Sequence, residues 1–176
     1  MPQITLNGLT LEISSGDIAS QDDIDAIVNA ANAELQTGGG VAGAIHSKGD
    51  PELTRETRSL APIKPGEAVI TSAPNLPNKY IIHCLGPVYG KDKPEDKLLK
   101  SCYVNALKLA EENEIESIAF PAISTGAFGF PMEKAASIAF NTMKEKASTL
   151  KHVKFVRFVL YSASDFNLHK EVLKKL

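Results

Sequence analysis

Apolar and polar positions along the chain follow two periods, one typical of strands and the other of helices. Short apolar runs bounded by turn residues predict strands, and apolar residues that recur every three or four positions predict helices. The predicted strands are residues 4–6, 9–13, 26–28, 68–71, 79–83, 117–120 and 155–161. The predicted helices are residues 41–48, a helix beginning at Asp50-Pro51, residues 95–113, a helix opened by Pro131 and a helix beginning at Asp165.

The order of these elements predicts the fold class. Asn7-Gly8 is a strong turn signal, so the first two strands should form an antiparallel hairpin. The other strands alternate with helices, which is typical of a mostly parallel sheet covered on both faces. The last strand is nearly all apolar and should lie inside the sheet. We therefore expect one α/β domain over residues 1–176 with a mixed, mostly parallel central sheet.

Capping residues predict where two of the helices begin. Asp50 is placed to cap a helix whose first position is Pro51, because proline needs no amide partner there. Asp165 is expected to cap the closing helix. The buried face of that helix is predicted to carry His169, Val172, Leu173 and Leu176.

Charge and composition exclude several classes of function. The 176 residues include 19 Lys and Arg against 21 Asp and Glu, a formal net charge of −2, and show no aromatic and basic platform. A nucleic-acid partner is therefore not expected. No apolar run reaches membrane-spanning length and no signal peptide is evident, so we expect a cytoplasmic protein without a membrane partner. Cys84 and Cys102 lie among apolar neighbours and are expected to be buried, inert thiols.

Two glycine-bearing segments each follow a predicted strand. The first runs from Asn29-Ala30-Ala31-Asn32 to Gly38-Gly39-Gly40-Val41, and the second covers residues 121–129, Pro-Ala-Ile-Ser-Thr-Gly-Ala-Phe-Gly. In a parallel α/β sheet such segments present backbone N–H groups that bind phosphates. One glycine run can be only a flexible connection, but a pair at two strand ends favours a diphosphate ligand. The two segments should face each other.

Two common nucleotide-binding motifs are absent from the sequence. No Gly-Lys-Ser or Gly-Lys-Thr occurs, although nucleoside triphosphatases need that lysine against the terminal phosphates. No Gly-x-Gly-x-x-Gly is followed by an acidic residue at the dehydrogenase spacing. The ligand should therefore be a diphosphate bound mainly by neutral groups.

Polar side chains at these strand ends are candidates for ligand contacts. Asn29 and Asn32 can each orient a sugar hydroxyl or merely cap the turn, and we expect one of them to be structural and the other to face the ligand. Glycines at 38–40 allow a phosphate close to the backbone. The segment Ser124-Thr125-Gly126 is expected to supply a hydroxyl and consecutive N–H groups at the start of a helix.

Two further residues suggest a nucleoside. The Asp17 carboxylate, at the end of an early strand, can accept a hydrogen bond from an exocyclic amine or can instead cap the turn at residues 19–22. Tyr161 ends the last strand, where its ring can stack on a base, although aromatic residues at strand ends more often belong to the core.

Several motifs of this sequence, in order, resemble the macrodomain family, whose members bind ADP-ribose. They are Gly16-Asp17-Ile18, Val28-Asn29-Ala30-Ala31-Asn32, Gly38-Gly39-Gly40-Val41, Gly43-Ala44-Ile45-His46, Tyr80-Ile81-Ile82-His83 with Gly86-Pro87, and the run from Ile118 to Gly126. The resemblance implies a three-layer α/β/α sandwich.

The resemblance also implies roles for individual residues. Asp17 would bind the adenine amine with Ile18 beside it, Tyr161 would stack on the adenine ring, and Asn32 would hold the distal ribose. The residues expected to wrap the diphosphate are Gly38, Gly39, Gly40, Val41, Ser124, Thr125, Gly126, Ala127 and Phe128. Phe128 would also pack on the distal ribose.

Many proteins of this family are hydrolases that act on ADP-ribosylated acidic side chains or on O-acetyl-ADP-ribose, and some carry an aspartate where this chain has Ala42. The resemblance therefore implies a cofactor-free, metal-free hydrolase in which Asn32 is catalytic and a ligand phosphate accepts the proton from water. A non-catalytic ADP-ribose-binding module and a phosphatase acting on ADP-ribose-1″-phosphate are the alternatives. His46 and His83 are both expected to be structural. The expected partners are ADP-ribose, ADP-ribosylated protein and O-acetyl-ADP-ribose.

Overall fold

The computed structural model describes residues 2–176, in which seven strands and five α-helices form. The strands are β1 (Gln3–Leu6), β2 (Leu9–Ser15), β3 (Ala26–Ala30), β4 (Ala68–Ser72), β5 (Tyr80–Cys84), β6 (Ser117–Phe120) and β7 (Phe155–Leu160). The helices are α1 (Gly40–Gly49), α2 (Glu52–Arg58), α3 (Glu95–Glu112), α4 (Met132–Lys146), a short 3₁₀ turn (Ala147–Thr149) and α5 (Ala163–Lys174). Each predicted strand and helix is present.

The strands form one mixed sheet in the order β1-β2-β7-β6-β3-β5-β4. Strands β2, β7, β6, β3 and β5 pair in parallel, whereas β1 and β4 are antiparallel edge strands. The hairpin around Asn7-Gly8 forms as predicted, and both of its turn residues have positive φ values. The last strand lies inside the sheet between β2 and β6, which its apolar sequence predicted.

Successive residues of the central strands pack on opposite faces of the sheet and so create two cores. Val28 and Phe158 belong to the larger core, which α3, α4 and α5 cover, whereas Ile27 and Val159 belong to the core beneath α1 and α2. This alternation follows from the two-residue period of a strand. Helices on both faces give the three-layer α/β/α sandwich, in which the carboxyl ends of the parallel strands meet at one edge.

Two helices begin at residues other than those the sequence predicted. Helix α5 begins after Ser162, whose Oγ accepts a hydrogen bond from the Asp165 backbone N–H at 3.1 Å, so Asp165 is not the N-cap. Helix α2 begins one residue later than predicted, with Pro51 as its N-cap. Asp50 nevertheless accepts a hydrogen bond from the Thr54 backbone N–H at 2.9 Å, which satisfies one free donor of that helix.

Both cysteines are buried free thiols, as predicted. Burial raises the pKa of the Cys102 thiol to about 12 and also raises that of Cys84. Neither thiol is therefore a reactive thiolate near neutral pH. Among the described residues, no helix has the length and apolar character needed to cross a membrane.

Candidate functional site

A cavity of about 480 Å³ opens where β3, β6 and β7 end. Its walls are Ala30, Ala31, Asn32, Gly38, Gly39, Gly40, Val41, Ala42, Gly86, Pro121, Ala122, Ile123, Ser124, Thr125, Gly126, Ala127, Phe128, Val159, Leu160, Tyr161 and Asp165. Both glycine-bearing segments of the sequence therefore line one cavity. It lies at the carboxyl edge of the parallel strands, which is the usual ligand-binding edge of such sheets.

The first wall, residues 38–42, presents the amino terminus of α1. Gly39 is extended, and Gly40 opens the helix with a φ of +55°. The backbone N–H groups of residues 38–42 donate to no acceptor in residues 2–176, because no earlier turn of helix precedes them. Five donors at the positive end of the α1 dipole are therefore available to an anion in the cavity.

The second wall, residues 124–128, presents amides from a turn rather than from a helix. Helix α4 begins only at Met132, so the prediction that Ser124 to Gly126 start a helix is wrong. Positive φ values at Ser124 and Gly129 reverse the chain instead, and the Phe130 N–H donates to the Ser124 carbonyl at 2.9 Å. Within the described part of the chain the N–H groups of Ser124, Gly126, Ala127 and Phe128 have no acceptor. Such a turn can bind an anion without a helix dipole.

Gly86 allows this second wall to pack tightly on the loop after β5. A Cβ atom added at Gly86 would overlap Ser124 Oγ and lie 2.7 Å from Ile123 Cγ2. Ser124 is buried, and its Oγ has no hydrogen-bond partner among the described residues. The hydroxyl oxygen is thus packed against Gly86 and is not an exposed donor on the cavity wall. Ser124 could be predicted from the sequence as a site residue, but its close packing against Gly86 could not.

Asn32 is the asparagine that lines the cavity. Its Nδ2 donates to the Gln36 carbonyl at 2.9 Å, and its Oδ1 accepts from the Gln36 N–H at 3.0 Å. An amide side chain has a second N–H and a second lone pair, so one donor and one acceptor remain for a ligand. A Cβ atom at Gly38 would lie 3.4 Å from Asn32 Nδ2, which places this amide beside the free N–H groups of the first wall.

Asn29, by contrast, is fully buried beneath the cavity and is structural. Its Nδ2 lies 3.0 Å from His83 Nδ1, and His83 Nε2 lies 2.9 Å from Thr71 Oγ1. Thr71 donates its hydroxyl proton to the Ser72 carbonyl, so it accepts from His83, whose Nδ1 in turn accepts from Asn29. His83 is thereby fixed as the neutral Nε2–H tautomer. Burial, together with the charge of His46, lowers the pKa of His83 to about 3.

His46 is the second buried histidine below the cavity. Its Nδ1 lies 3.1 Å from both carboxylate oxygens of Asp50, and the Oδ1 of Asp50 also accepts hydrogen bonds from the backbone N–H and the hydroxyl of Thr54. Although burial alone would raise it, the hydrogen bonds from Thr54 and His46 hold the pKa of Asp50 below its usual value. Neither His46 nor His83 lines the cavity. Both therefore take structural positions, as expected.

Asp17, Ile18 and Tyr161 lie near the end of β7 but differ in exposure. Tyr161 lines the cavity and is 92% exposed, so it is not a core residue. Asp17 and Ile18 are not among the lining residues. Asp17 Oδ1 accepts a hydrogen bond from the Ala19 N–H at 2.9 Å, and Ile18 packs in the core that contains Val159. Asp17 thus caps the turn that follows it, which was one of its two possible roles.

Asp165 is a lining residue that the sequence analysis missed. It is the only charged residue on the cavity wall among the described residues, and its carboxylate makes no hydrogen bond to them. Its place at the helix start, where acidic residues are common, explains an acidic residue there, and nothing in the sequence indicates that Asp165 lines the cavity. The other wall residues are neutral, so an anion would be bound by amide and hydroxyl dipoles.

The chemistry of the wall suits a diphosphate with sugar and base at its ends. Ala42 is buried in the wall, and no carboxylate stands between the two amide-bearing segments. A general base from this part of the chain is therefore lacking. In residues 2–176 no group of three or more His, Cys, Asp or Glu side chains is placed to hold a metal ion.

Known proteins with similar sequences and structures share one family. Residues 28–139 match the Macro domain family. A macro domain-containing protein of Methanosarcina mazei is 47% identical over 175 residues, covering 99% of this chain and 93% of the relative. The ADP-ribose glycohydrolase MACROD2 of Xenopus laevis is 44% identical over 174 residues, covering 96% of this chain and 41% of that protein.

A solved structure of the Oceanobacillus iheyensis macrodomain with ADP has the same fold. It superposes with a TM-score of 0.94 at 39% sequence identity, covering 99% of this chain and 95% of that one. A variant of the same macrodomain, solved with ADPR, superposes with a TM-score of 0.93 at 38% identity, covering 99% of this chain and 97% of that one. The two relatives match this chain over nearly its whole length, and the solved macrodomain structures share its complete fold. The chain therefore belongs to the Macro domain family.

Proposed function

We propose that this chain binds ADP-ribose in the cavity and hydrolyses ADP-ribosyl esters, namely mono-ADP-ribosylated acidic side chains and O-acetyl-ADP-ribose. The observation that carries the proposal is the pair of walls with free backbone N–H groups in one cavity, residues 38–42 and 124–128. A diphosphate between them would receive hydrogen bonds from both sides without a charged side chain.

The likeness to other macrodomains supports this choice of ligand. The Oceanobacillus iheyensis structures hold ADP and ADPR in a fold that matches this one, and the MACROD2 relative is named an ADP-ribose glycohydrolase. In this proposal Tyr161 stacks on adenine near Ile18, and Asp17 accepts from the adenine amine. Asn32 and Phe128 contact the distal ribose at the other end of the cavity.

The proposed reaction needs a positioned water rather than a protein base. Asn32 and the amides of the two walls fix the distal ribose and the diphosphate, so that a water lies between the ester carbon and a phosphate oxygen. The water oxygen attacks that carbon while the phosphate accepts the proton of the water, and the C–O bond of the ester breaks as the leaving oxygen takes up that proton. ADP-ribose and a carboxylic acid are the products. Positioning of this kind can supply several kcal/mol of the barrier reduction.

A binding module without catalysis is the second candidate, and Ala42 favours it. This position on the cavity wall offers only a methyl group, so the chain lacks a carboxylate at the point where some related hydrolases have one. Hydrolysis assays distinguish the two candidates because the binding steps are the same.

Two experiments test the proposal in sequence. ADP-ribose should raise the melting temperature while AMP alone does little, because only the former spans both walls; an equal shift from both would contradict the binding mode. The protein is then incubated with a glutamate-linked mono-ADP-ribosylated target and, separately, with O-acetyl-ADP-ribose. Release of ADP-ribose supports the hydrolase, whereas binding without release supports the module.

A further inference from the structure

We infer that Asp165 is a specificity residue that selects an unmodified ribose on the adenine side of the ligand and rejects a nucleotide phosphorylated there. The inference rests on the proposed function, because it assumes that ADP-ribose occupies the cavity. It concerns a residue that the sequence analysis treated only as a helix cap.

The Asp165 side chain is not used by its own helix. Ser162 and Asp165 have the spacing of a capping box, in which the acidic side chain returns a hydrogen bond to the backbone N–H of the cap. Only half of that box forms: the Asp165 N–H donates to Ser162 Oγ, but the Asp165 carboxylate accepts nothing from Ser162. It also makes no ion pair among the described residues.

Asp165 instead forms part of the cavity wall. Asp165 is half-buried and lines the cavity together with Tyr161, which precedes the helix, and Leu160 at the end of β7. A carboxylate accepts hydrogen bonds and donates none, so the part of the ligand that meets it must carry donors. Of the described residues that line the cavity, Asp165 is the only charged one, and it repels any phosphate placed close to it.

The position of Asp165 indicates which donors it meets. The exposed Tyr161 ring offers a flat surface for the base, and the two amide walls offer sites for the diphosphate. The ribose connects base and diphosphate, so a carboxylate beside the stacking ring faces the hydroxyl groups of that ribose. An acidic side chain that accepts from a ribose 2′-hydroxyl also disfavours a 2′-phosphate in other nucleotide sites.

Calorimetric titration with two nucleotides tests this assignment. Wild-type protein should bind ADP-ribose about tenfold or more tightly than its 2′-phosphorylated form, because the added phosphate meets the carboxylate. Asp165→Asn keeps the size of the side chain and removes its charge. In that variant the preference should fall to about threefold or less, mainly through tighter binding of the 2′-phosphorylated ligand.

Glu171→Gln is the matched control, since it makes the same charge change on α5 at an exposed residue that pairs only with Lys174. It should keep the wild-type preference. The ratio of two affinities within one variant does not depend on the fraction of protein that is folded, so a stability change in Asp165→Asn cannot imitate the result. An unchanged preference in Asp165→Asn overturns the inference. Failure of wild-type protein to bind either nucleotide overturns the proposed function itself.

Discussion

The polar groups beneath the cavity and those on its wall are of similar types but differ in their hydrogen bonding: the first are bonded within the protein, and the second keep free donors and acceptors. Beneath it, Asn29, His83 and Thr71 are buried and bonded to one another. On the wall, Asn32 retains a free donor and acceptor, and the backbone N–H groups of residues 38–42 and, apart from Thr125, of residues 124–128 have no acceptor within residues 2–176. We call the first set the floor, made of Asn29, His83 and Thr71, and the second set the wall.

The difference indicates which polar groups stabilise the fold and which are available to bind a ligand. A buried group that is paired within the protein contributes to stability and is costly to disturb. A group that lacks a partner contributes little to stability and gains its partner when a ligand binds. Changes in the floor should therefore alter folding with little effect on binding, whereas changes in the wall should alter binding or turnover.

The largest expected effect is the dependence of stability on pH through the floor. The pKa of His83 is about 3 in the folded protein against 6.5 ordinarily, so the unfolded chain binds a proton on this residue as the pH falls below 6.5 and the folded protein does not. Stability is fully present above pH 6.5 and is lost as the pH falls toward 3. Between pH 6.5 and 4 the loss should be about 3 kcal/mol.

Chemical denaturation at several pH values measures this loss. A His83→Gln variant should show a clearly smaller slope between pH 6.5 and 4.5, whatever its stability at pH 7. His152→Gln is the control, because the His152 ring makes no hydrogen bond to a described residue while its backbone N–H does. Equal slopes in wild type and His83→Gln would show that the floor does not hold a neutral histidine.

The next largest effect should come from Gly86→Ala, which disturbs the packing of the loop after β5 against the second wall. The new methyl group would overlap Ser124 Oγ and press on Ile123, so the second wall must move. We expect about a hundredfold loss of ADP-ribose affinity in a titration. Gly126→Ala should leave the free energy of unfolding within about 0.5 kcal/mol, because its methyl group meets no protein atom within 4 Å. Affinity unchanged in Gly86→Ala would contradict the role of the second wall.

Asn29→Ala and Asn32→Ala make the same substitution, the first in the floor and the second in the wall. Asn29→Ala leaves His83 Nδ1 without its partner and should lower the free energy of unfolding by about 2 kcal/mol while ADP-ribose affinity stays within about threefold. Asn32→Ala should lower the hydrolysis rate about thirtyfold, with a smaller change in affinity. Unfolding curves, titrations and rate assays on both variants measure the free energy of unfolding, the ADP-ribose affinity and the hydrolysis rate. Wild-type hydrolysis by Asn32→Ala would show that Asn32 is not catalytic.

The smallest effect is expected for Asp17→Ala. Asp17 is exposed and lies outside the lining residues, so the proposed hydrogen bond from the adenine amine would be partly solvated. Its loss should weaken ADP-ribose binding about tenfold, or about 1.4 kcal/mol. Titration with ADP-ribose and with its hypoxanthine analogue, which lacks the amine, measures the discrimination. A variant that still discriminates as strongly as wild type would remove Asp17 from the binding site.

The hydrophobic pattern sufficed to predict the fold because each strand and helix carries its own period. The apolar run of residues 155–161 predicted an interior strand, and the Asn7-Gly8 turn predicted the antiparallel edge. Helix starts were less certain because Ser162 and Asp165 can both cap a helix. Only the geometry shows which of them accepts the hydrogen bond.

The site was predictable only where the chemistry lies in contiguous residues. The glycines at 38–40 and the segment from Ser124 to Phe128 could be recognised as walls of one cavity. The fit of Gly86 against Ser124, and the approach of Asp165 to the cavity, depend on contacts between residues far apart in the chain. The choice between Asn29 and Asn32 also needed the structure, because both follow the same apolar strand and either can cap a turn.

The most direct test of the two-walled site is a titration of ¹⁵N-labelled protein with ADP-ribose, followed by NMR. Amide signals of both residues 38–42 and residues 124–128 should shift together with one dissociation constant, because both sets of free N–H groups receive the same diphosphate. Shifts confined to one of the two walls, or no shift in either, would contradict the account.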